Sequence, residues 1–285
     1  MLFAQVIVDG LLVGLIFALV AMGLSLVYGI MNIVNFAHGE MMMLAMYIVF
    51  FLWSIAGIDP LIGTPIATVL LFLIGIGLYR ALIRPLVGGS LVSHVFGTVG
   101  LMIFLQAAAN VLWKADIRTV GDNWSTGLFQ LGGILFNKPE VIAAGGALAT
   151  ALVLFWIIHK TDLGLAMQAT AEDAQVARLL GINSDRMYAI AWGLGAALVA
   201  IGGGLLATYY SIQPIVGAKW ALPAFVAVAV GGFGSVAGAF WGGLIIGLVQ
   251  TVGGFLTSPS YKTLFVYGLF LAIVFFRPYG LMGRR

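Results

Sequence analysis

The sequence predicts an all-α polytopic membrane protein, and two observations support this. The first is composition: of 285 residues, 62% are hydrophobic and 8% are charged, whereas a soluble domain carries about 25% charged residues. With so few charges for a hydrated exterior, most of the molecular surface has to face lipid. The second is that uncharged stretches recur at about the 20-residue length that one α-helix needs to cross a bilayer.

Eight uncharged stretches supply the predicted spans. In chain order they are residues 11–30, 41–58, 61–79, 95–113, 141–158, 187–210, 220–260 and 263–276. The stretch 220–260 is about twice as long as one span, so we expect it to reverse near the glycines at 231–234. Runs of this length exclude a barrel, whose strands alternate over roughly ten residues. The sequence therefore predicts eight to ten transmembrane helices, some of them broken, in a single domain over residues 1–285.

The basic residues between the spans predict an orientation. Alternate threading puts eight on one side of the membrane: Arg80, Arg84, Lys160, Arg178, Arg186, Arg277, Arg284 and Arg285. It puts five on the other: Lys114, Arg118, Lys138, Lys219 and Lys262. Because Lys and Arg are enriched in cytoplasmic loops, we expect the carboxyl terminus in the cytoplasm and, with an odd number of spans, the amino terminus outside. No basic cluster indicates a nucleic-acid partner.

Two polar segments separate the spans. Residues 114–140 are expected to form an external loop with a short surface helix, either as a plain connector or as a surface for an extracellular partner. Residues 159–186 are expected on the cytoplasmic side as an amphipathic helix, since small and apolar residues recur there at helical spacing: Leu163, Ala166, Met167, Thr170, Ala174, Ala177 and Leu180.

The end of this amphipathic helix has a specific sequence signal. Glu172, Asp173 and Arg178 lie off the apolar stripe. Gly181 is expected to stop the helix in a left-handed conformation, with Ile182 making the accompanying hydrophobic contact. Asn183 or Ser184 can then cap the next span. A short amphipathic helix between two spans has the shape of a docking element.

Catalytic chemistry is poorly supported. No lysine follows a glycine, so the phosphate-binding P-loop is absent and the chain does not hydrolyse ATP by that means. The chain has no cysteine, and its three histidines and ten acids are too scattered to indicate a metal site. Ser25 and Ser235 have no local base, which argues against an intramembrane hydrolase. We expect no cofactor and no enzymatic activity in this chain.

The densest polar cluster within the apolar pattern lies between Tyr28 and Met41. Asn32, Asn35 and His38 would share one helix face, with Glu40 pointing elsewhere unless the neighbouring glycine breaks the helix. An ionisable pair at membrane depth marks a pathway, a hinge or a structural lock. A solvated loop at the membrane edge is an equally good interpretation from these residues alone.

Two further features lie inside predicted spans. Gln106 and Asn110 are one helical turn apart, so both are expected to face the bundle interior, as an interhelical hydrogen bond or as part of a pathway. The glycine-rich run is expected to combine close helix packing with a turn between half-length helices. Its turn residues are Gly231, Gly232, Gly234, Ser235 and Gly238.

Four sequence blocks cover nearly the whole chain in a characteristic order and spacing. They are residues 32–40 followed by a methionine-rich helix, 171–174 together with 180–183, 231–239, and 277–283. Together these blocks resemble the permease subunits of branched-chain amino acid ABC importers, the Liv-type high-affinity systems. The resemblance implies a partly inverted-repeat permease in the bacterial inner membrane. It implies four kinds of partner: membrane lipid, a second related permease, two cytoplasmic ATPases that bind ATP and Mg, and a periplasmic substrate-binding protein.

The resemblance also implies roles for particular residues. It places Glu172, Asp173, Gly181, Ile182 and Asn183 at the contact with the ATPases, in a coupling loop that takes in the whole of 159–186. It places the cluster of Asn32, Asn35, His38 and Glu40 in the translocation region. Two alternatives stay open: the same permease type carrying urea or short-chain amides, and an ion-coupled secondary transporter that uses Glu40 and His38.

Overall fold

The computed structural model describes residues 2–283, so Arg284 and Arg285 of the predicted charge count lie outside the described residues. Within that range the chain forms eleven α-helices and one two-stranded hairpin. The helices are α1 (Leu2–Met31), α2 (His38–Ala56), α3 (Pro60–Leu78), α4 (Leu91–Trp113), α5 (Lys138–Lys160), α6 (Asp162–Glu172), α7 (Ala174–Leu179), α8 (Ser184–Leu206), α9 (Val216–Gly231), α10 (Val236–Leu256) and α11 (Lys262–Phe276). The strands β1 (Leu128–Leu131) and β2 (Ile134–Asn137) pair antiparallel.

Eight of the described helices are long and apolar enough to cross a membrane. They are α1, α2, α3 with its continuation to Leu86, α4, α5, α8, α10, and α11 with the turn that precedes it. α9 is apolar but has only 16 residues. The predicted fold class, an all-α polytopic membrane protein with eight to ten spans, is confirmed. The long uncharged stretch reverses as predicted, between the end of α9 at Gly231 and the start of α10 at Val236.

Contacts between the helix ends define two faces of the bundle. On one face, the side chain of Gln5 in α1 donates to the main-chain oxygen of Leu135 at 2.8 Å and accepts from its N–H at 2.9 Å. We call this the hairpin face. On the other, the last turn of α1 packs on the turn after α9, where a Cβ added to Gly29 would lie 3.0 Å from the oxygen of Gly234. This face also carries α6 and α7, and we call it the loop face.

The two ends of the described chain lie on opposite faces. α1 begins at the hairpin face, whereas the segment after α11 returns to the loop face, where the N–H of Met282 donates to the oxygen of Gly231 at 2.9 Å. An odd number of crossings requires this separation. The eight candidate spans and the shorter apolar helix α9 would together make nine crossings within residues 2–283.

Small residues bring the central helices together. A Cβ added to Gly243 of α10 would lie 2.2 Å from the Cα of Ala18 in α1. One added to Gly75 of α3 would lie 2.8 Å from the Cβ of Ala196 in α8. Close approach of this kind is how helices gain packing contact in lipid, where there is little hydrophobic drive between them. α4 and α11 are peripheral, because only 17% and 6% of their most apolar windows are buried.

The segment 114–140 differs from its prediction. It contains the hairpin of β1 and β2 rather than a surface helix. The reason is local: Gly132 and Gly133 connect the strands with φ angles of 60° and 82°, and a two-residue turn with positive φ at both positions matches the twist of a hairpin. The rings of Phe129 and Phe136 stack across it with centroids 5.1 Å apart.

Gln106 and Asn110 were both predicted to face the bundle interior, and for Asn110 this prediction is wrong. Asn110 is exposed, and its side chain donates at 2.9 Å to the main-chain oxygen of Gln106, which is itself only partly buried. A polar side chain that bonds its own helix needs no partner in the bundle interior. Because α4 lies at the edge of the bundle, Gln106 and Asn110 lie apart from the other candidate residues.

Candidate functional site

The polar motif after α1 forms a break inside the bundle instead of a helix face. Asn32 adopts a left-handed conformation with φ of 55°, and regular structure resumes only at His38. Irregular backbone at membrane depth is tolerated where protein surrounds it. Here the hydroxyl of Thr98 in α4 donates to the oxygen of Val34 at 3.1 Å, and the side chain of Asn35 accepts from the N–H of Ala37 at 3.1 Å. The predicted shared helix face is therefore wrong.

His38 fixes the depth at which α2 begins. Its ring Nε2 lies 3.0 Å from the main-chain oxygen of Val20 and so donates to it. Val20 is eleven residues before the end of α1 at Met31, which puts His38 roughly 16 Å inside the loop-face end of that helix. The ring fits because Gly23 has no side chain: a Cβ there would lie 3.0 Å from Nε2. His38 is 1% exposed, so the interpretation as a solvated loop is also wrong.

α2 and α9 begin at the same interior point and run to opposite faces. A Cβ added to Gly39 would lie 2.5 Å from the oxygen of Gly217, and one added to Gly217 would lie 2.5 Å from the oxygen of Gly39. α2 ends at the hairpin face and α9 at the loop face. This is the relation expected of broken helices in an inverted repeat, and it brings the positive ends of two helix dipoles together. The sequence predicted broken helices but did not locate this meeting point.

Glu40 lies beside this junction, in the first turn of α2, and is 2% exposed. Its Oε2 has no hydrogen-bond partner among the described residues, and the same holds for Nδ1 of His38 and Nε1 of Trp220 in α9. Leaving buried polar groups without partners costs about 1–3 kcal/mol each. Buried polar groups normally have a hydrogen-bond partner, so these groups make the junction a candidate site.

The predicted amphipathic helix is divided into two. α6 ends at Glu172, and Asp173 begins α7 by accepting from the N–H groups of Gln175 and Val176 at 2.8 and 3.0 Å. An aspartate that caps a new helix cannot also continue the preceding one. Met167, Thr170 and Ala177 of the predicted stripe are buried, but Leu180 is 75% exposed. The loop therefore presents two short helices.

The end of α7 follows the prediction closely. Gly181 has φ of 87°. The N–H of Gly181 donates to the oxygen of Arg178 and that of Ile182 to the oxygen of Ala177, both at 3.0 Å, which is the hydrogen-bond pair of a Schellman motif. Asn183 then caps α8 by accepting from the N–H of Arg186 at 3.0 Å. These bonds fix the conformation of the turn that joins α7 to α8.

The glycine-rich run lies on the same face. Gly232 and Gly234 have φ of 108° and 79°, and Ser235 caps α10 by accepting from the N–H of Gly238 at 3.0 Å. α9 and α10 then cross closely, because a Cβ added to Gly231 would lie 2.1 Å from the oxygen of Gly238. α10 is a full-length helix of 21 residues rather than a half-length one. The run is thus a turn and a packing surface.

All four of the predicted blocks meet around one cavity at the loop face. The cavity has a volume of about 470 Å³ and is bordered by the left-handed turn after α1, the end of α6 and the turn before α10. Its lining includes Asn32, Glu172, Gly234, Ser235 and, from the carboxyl-terminal block, Met282. The fold therefore places part of the polar motif beside the candidate coupling loop.

Sequence reasoning missed a polar contact between α3 and α8. The carboxylate of Asp185 accepts from the hydroxyl of Tyr79 at 2.8 Å and pairs with Arg84 at 3.0 Å. α3 ends there in a π-helical turn, Tyr79–Ile83. Pro85 explains the turn, because it lacks an N–H and its ring crowds the carbonyl four residues earlier. That proline was the only signal in the sequence.

These features define a class of protein. A helical membrane bundle in which two broken helices meet beside the buried His38 and Glu40, and which carries a two-helix loop on one face, has the organisation of a transporter's membrane subunit. The family model described as "Branched-chain amino acid transport system / permease component" matches residues 6–274. The chain belongs to that family, as the sequence resemblance predicted.

Curated relatives agree over nearly the full length. The chain is 33% identical to the high-affinity branched-chain amino acid transport system permease protein BraD of Pseudomonas aeruginosa, covering 99% of this chain and 96% of the relative. It is 30% identical to LivH of Escherichia coli K12, a permease protein of the same description, over the same shares. Among solved structures, PsaBC from Streptococcus pneumoniae is similar in fold, with a TM-score of 0.50, 17% identity, and 95% and 91% of the two chains covered.

Proposed function

We propose that this chain is the membrane permease subunit of an ATP-driven importer for branched-chain or similar hydrophobic amino acids. The observation that carries the proposal is the similarity over 99% of the chain to permeases described as high-affinity branched-chain amino acid systems. The chain has no P-loop of its own. Partner ATPases would therefore bind the ATP and Mg, alongside a second permease and a periplasmic binding protein.

The loop face would lie in the cytoplasm, with the carboxyl terminus, and the segment 114–140 would be external. The basic residues support this orientation, because the described members of the larger predicted set, such as Arg84, Arg178 and Arg277, belong to segments at the loop face. ATPase contact would involve Glu172, Asp173 and Arg178 together with the Schellman turn. The hydrogen-bonded turn supports a coupling role, since a displacement of α7 would be passed through it to α8.

The translocation region would include the α2–α9 junction and the turn that leads to it from the loop face. Asn32 borders the loop-face cavity, whereas Asn35, His38 and Glu40 lie deeper in the bundle. α8 connects the two regions, because a Cβ added to Gly195 would lie 3.8 Å from the ring of His38. ATP binding by the partners would move the coupling loop and, through α8, shift the junction between outward-open and inward-open arrangements.

The primary test is transport by the reconstituted complex. Proteoliposomes that contain this chain, its second permease and the ATPases should take up leucine when the binding protein and internal ATP are supplied. Uptake at the same rate without the ATPases would reject the ABC assignment. Glu172→Lys should lower ATP hydrolysis stimulated by the binding protein while leaving membrane insertion intact. Unchanged transport by this variant would remove the coupling role.

The same preparation separates the alternatives. Competition by excess urea or short-chain amides, without competition by leucine, would favour the related cargo class. Uptake that follows an ion gradient and ignores internal ATP would favour a secondary transporter. The second alternative has one observation behind it, the burial of Glu40 and His38 at the α2–α9 junction. Glu40→Gln would then abolish the dependence of uptake on the gradient.

A further inference from the structure

A second cavity at the loop face lies between the end of α3 and the start of α8. Its volume is about 600 Å³. Two arginines and two tyrosines line it, Arg84, Arg178, Tyr79 and Tyr188, together with a single acid, Asp185. The acid is already engaged by Tyr79 and Arg84. The wall is therefore net basic and rich in hydrogen-bond donors.

The cavity lies where the lipid-facing surface of α3 ends. Exposed apolar residues recur along α3 every three or four positions, and the most exposed of them are Ile62, Val69 and Leu73. Gly77 continues the stripe, with nothing within 4 Å of its Cβ position. From Ile62 to Arg84 the stripe covers roughly 33 Å, close to the hydrocarbon-core thickness of about 30 Å. Arg84 thus lies at the depth of the lipid headgroups.

The side chains around the cavity fit one kind of ligand. Arginine pairs bind phosphate through charge-assisted, often bidentate hydrogen bonds. Among the described residues Arg178 makes no ion pair, and Arg84 is 60% exposed despite its contact with Asp185. Tyrosines are enriched at the membrane boundary, and basic pockets between transmembrane helices bind phospholipid headgroups. A free phosphate could bind the arginines but would make no contact with the adjoining apolar stripe of α3.

We propose that this cavity binds the phosphate headgroup of an anionic phospholipid from the leaflet at the loop face, with its acyl chains along the exposed stripe of α3. Because Arg178 and the Schellman turn border the same cavity, the lipid would contact the exit of the coupling loop. The proposed ATPase contact uses Arg178 and the same turn, so the two assignments compete there, and lipid binding measured with and without the ATPases distinguishes them.

The test is lipid retention by the full-length chain. The purified protein is titrated in detergent with phosphatidylglycerol and, separately, with phosphatidylcholine, and bound lipid is counted by native mass spectrometry. The expected result is at least one tightly bound phosphatidylglycerol. The double variant Arg84→Gln with Arg178→Gln should lose about 25-fold in affinity, since each basic side chain near a membrane surface contributes about fivefold.

A matched control removes the same charge elsewhere on the loop face. Lys160→Gln with Arg277→Gln changes two exposed basic residues outside the cavity and should bind phosphatidylglycerol as the wild type does. The variant Arg84→Lys with Arg178→Lys keeps the charge but loses the bidentate geometry, so its affinity should fall between those of the wild type and the double glutamine variant. It shows whether a loss in the glutamine variant comes from charge or from misfolding, which helical circular dichroism also monitors.

Three results would overturn the proposal. One is equal phosphatidylglycerol affinity in the wild type and the double glutamine variant. Another is displacement of the lipid by millimolar inorganic phosphate, which would make the cavity a site for small anions. The third is stoichiometric loss of the lipid when the ATPase partners are added, because the cavity would then serve a protein contact.

Discussion

The helical pattern is interrupted at residues 32–37 and at residues 180–183, and the two interruptions have different physical causes. The second depends on local rules: a glycine with φ of 87°, a hydrogen-bond pair between neighbours and an asparagine cap. The first depends on distant contacts, since His38 bonds to α1 and Gly39 touches α9. The comparison teaches that a break within the membrane is specified by the helices around it rather than by its own residues.

The largest effect is expected where the distant contacts are tightest. Gly39→Leu would place a Cβ 2.5 Å from the oxygen of Gly217 and 2.6 Å from the Cβ of Ala221. Because main chain cannot yield as a side chain does, α2 and α9 must separate, at a cost of more than the usual 1–3 kcal/mol of overpacking. We expect loss of the monodisperse peak in size-exclusion chromatography and no transport.

Gly77→Leu is the control for Gly39→Leu. Nothing lies within 4 Å of the Cβ position of Gly77, and the helix surface is exposed there. Leucine should be neutral or slightly stabilising, because glycine is a poor helix former. Equal behaviour of the two variants would show that the meeting of α2 and α9 does not define the break.

The next largest effect is expected from replacing His38, which lies in the bundle interior, and His94, at the bundle edge, serves as the comparison. His38→Ala removes a buried ring and its bond to Val20, and we expect a loss of about 2–4 kcal/mol in the free energy of unfolding. His94 also bonds a main-chain oxygen, that of Leu86 at 2.7 Å, but it is only partly buried at the edge of the bundle. His94→Ala should cost about 1 kcal/mol. Thermal unfolding in one detergent measures both, and a larger loss at His94 would contradict the comparison.

Much of the fold was predictable from the sequence, because it depends on local rules, as the break at residues 180–183 does. Uncharged runs predict spans, and the reversal near Gly232 follows from run length and glycine content. Gly181 and Asn183 act on their immediate neighbours, so their roles follow from the sequence. The depth of His38 and the contact of Gly39 with Gly217 depend on residues far apart in the chain. The sequence indicates an unusual polar cluster without fixing where it lies.

The local break can be tested through its backbone conformation. Gly181→Val forces a β-branched residue to φ of 87°, whereas Gly181→Asn introduces a residue that tolerates this region. We expect Val to destabilise the turn by about 1–2 kcal/mol and to lower the number of leucine molecules transported per ATP hydrolysed, with Asn retaining most of both. Identical ratios for the two variants would remove the turn from the coupling path.

The smallest effect concerns the contact that fastens the start of α8 to α3. Arg84 and Asp185 are 60% and 45% exposed, so their ion pair contributes only about 0–1 kcal/mol and weakens with salt. The hydroxyl of Tyr79 is the firmer partner, because this side chain is 1% exposed. Tyr79→Phe should therefore lower the melting temperature more than Arg84→Gln does, and only the effect of Arg84→Gln should disappear in high salt. The reverse order would mean that the ion pair, rather than the buried hydrogen bond, holds the loop exit to the membrane helices.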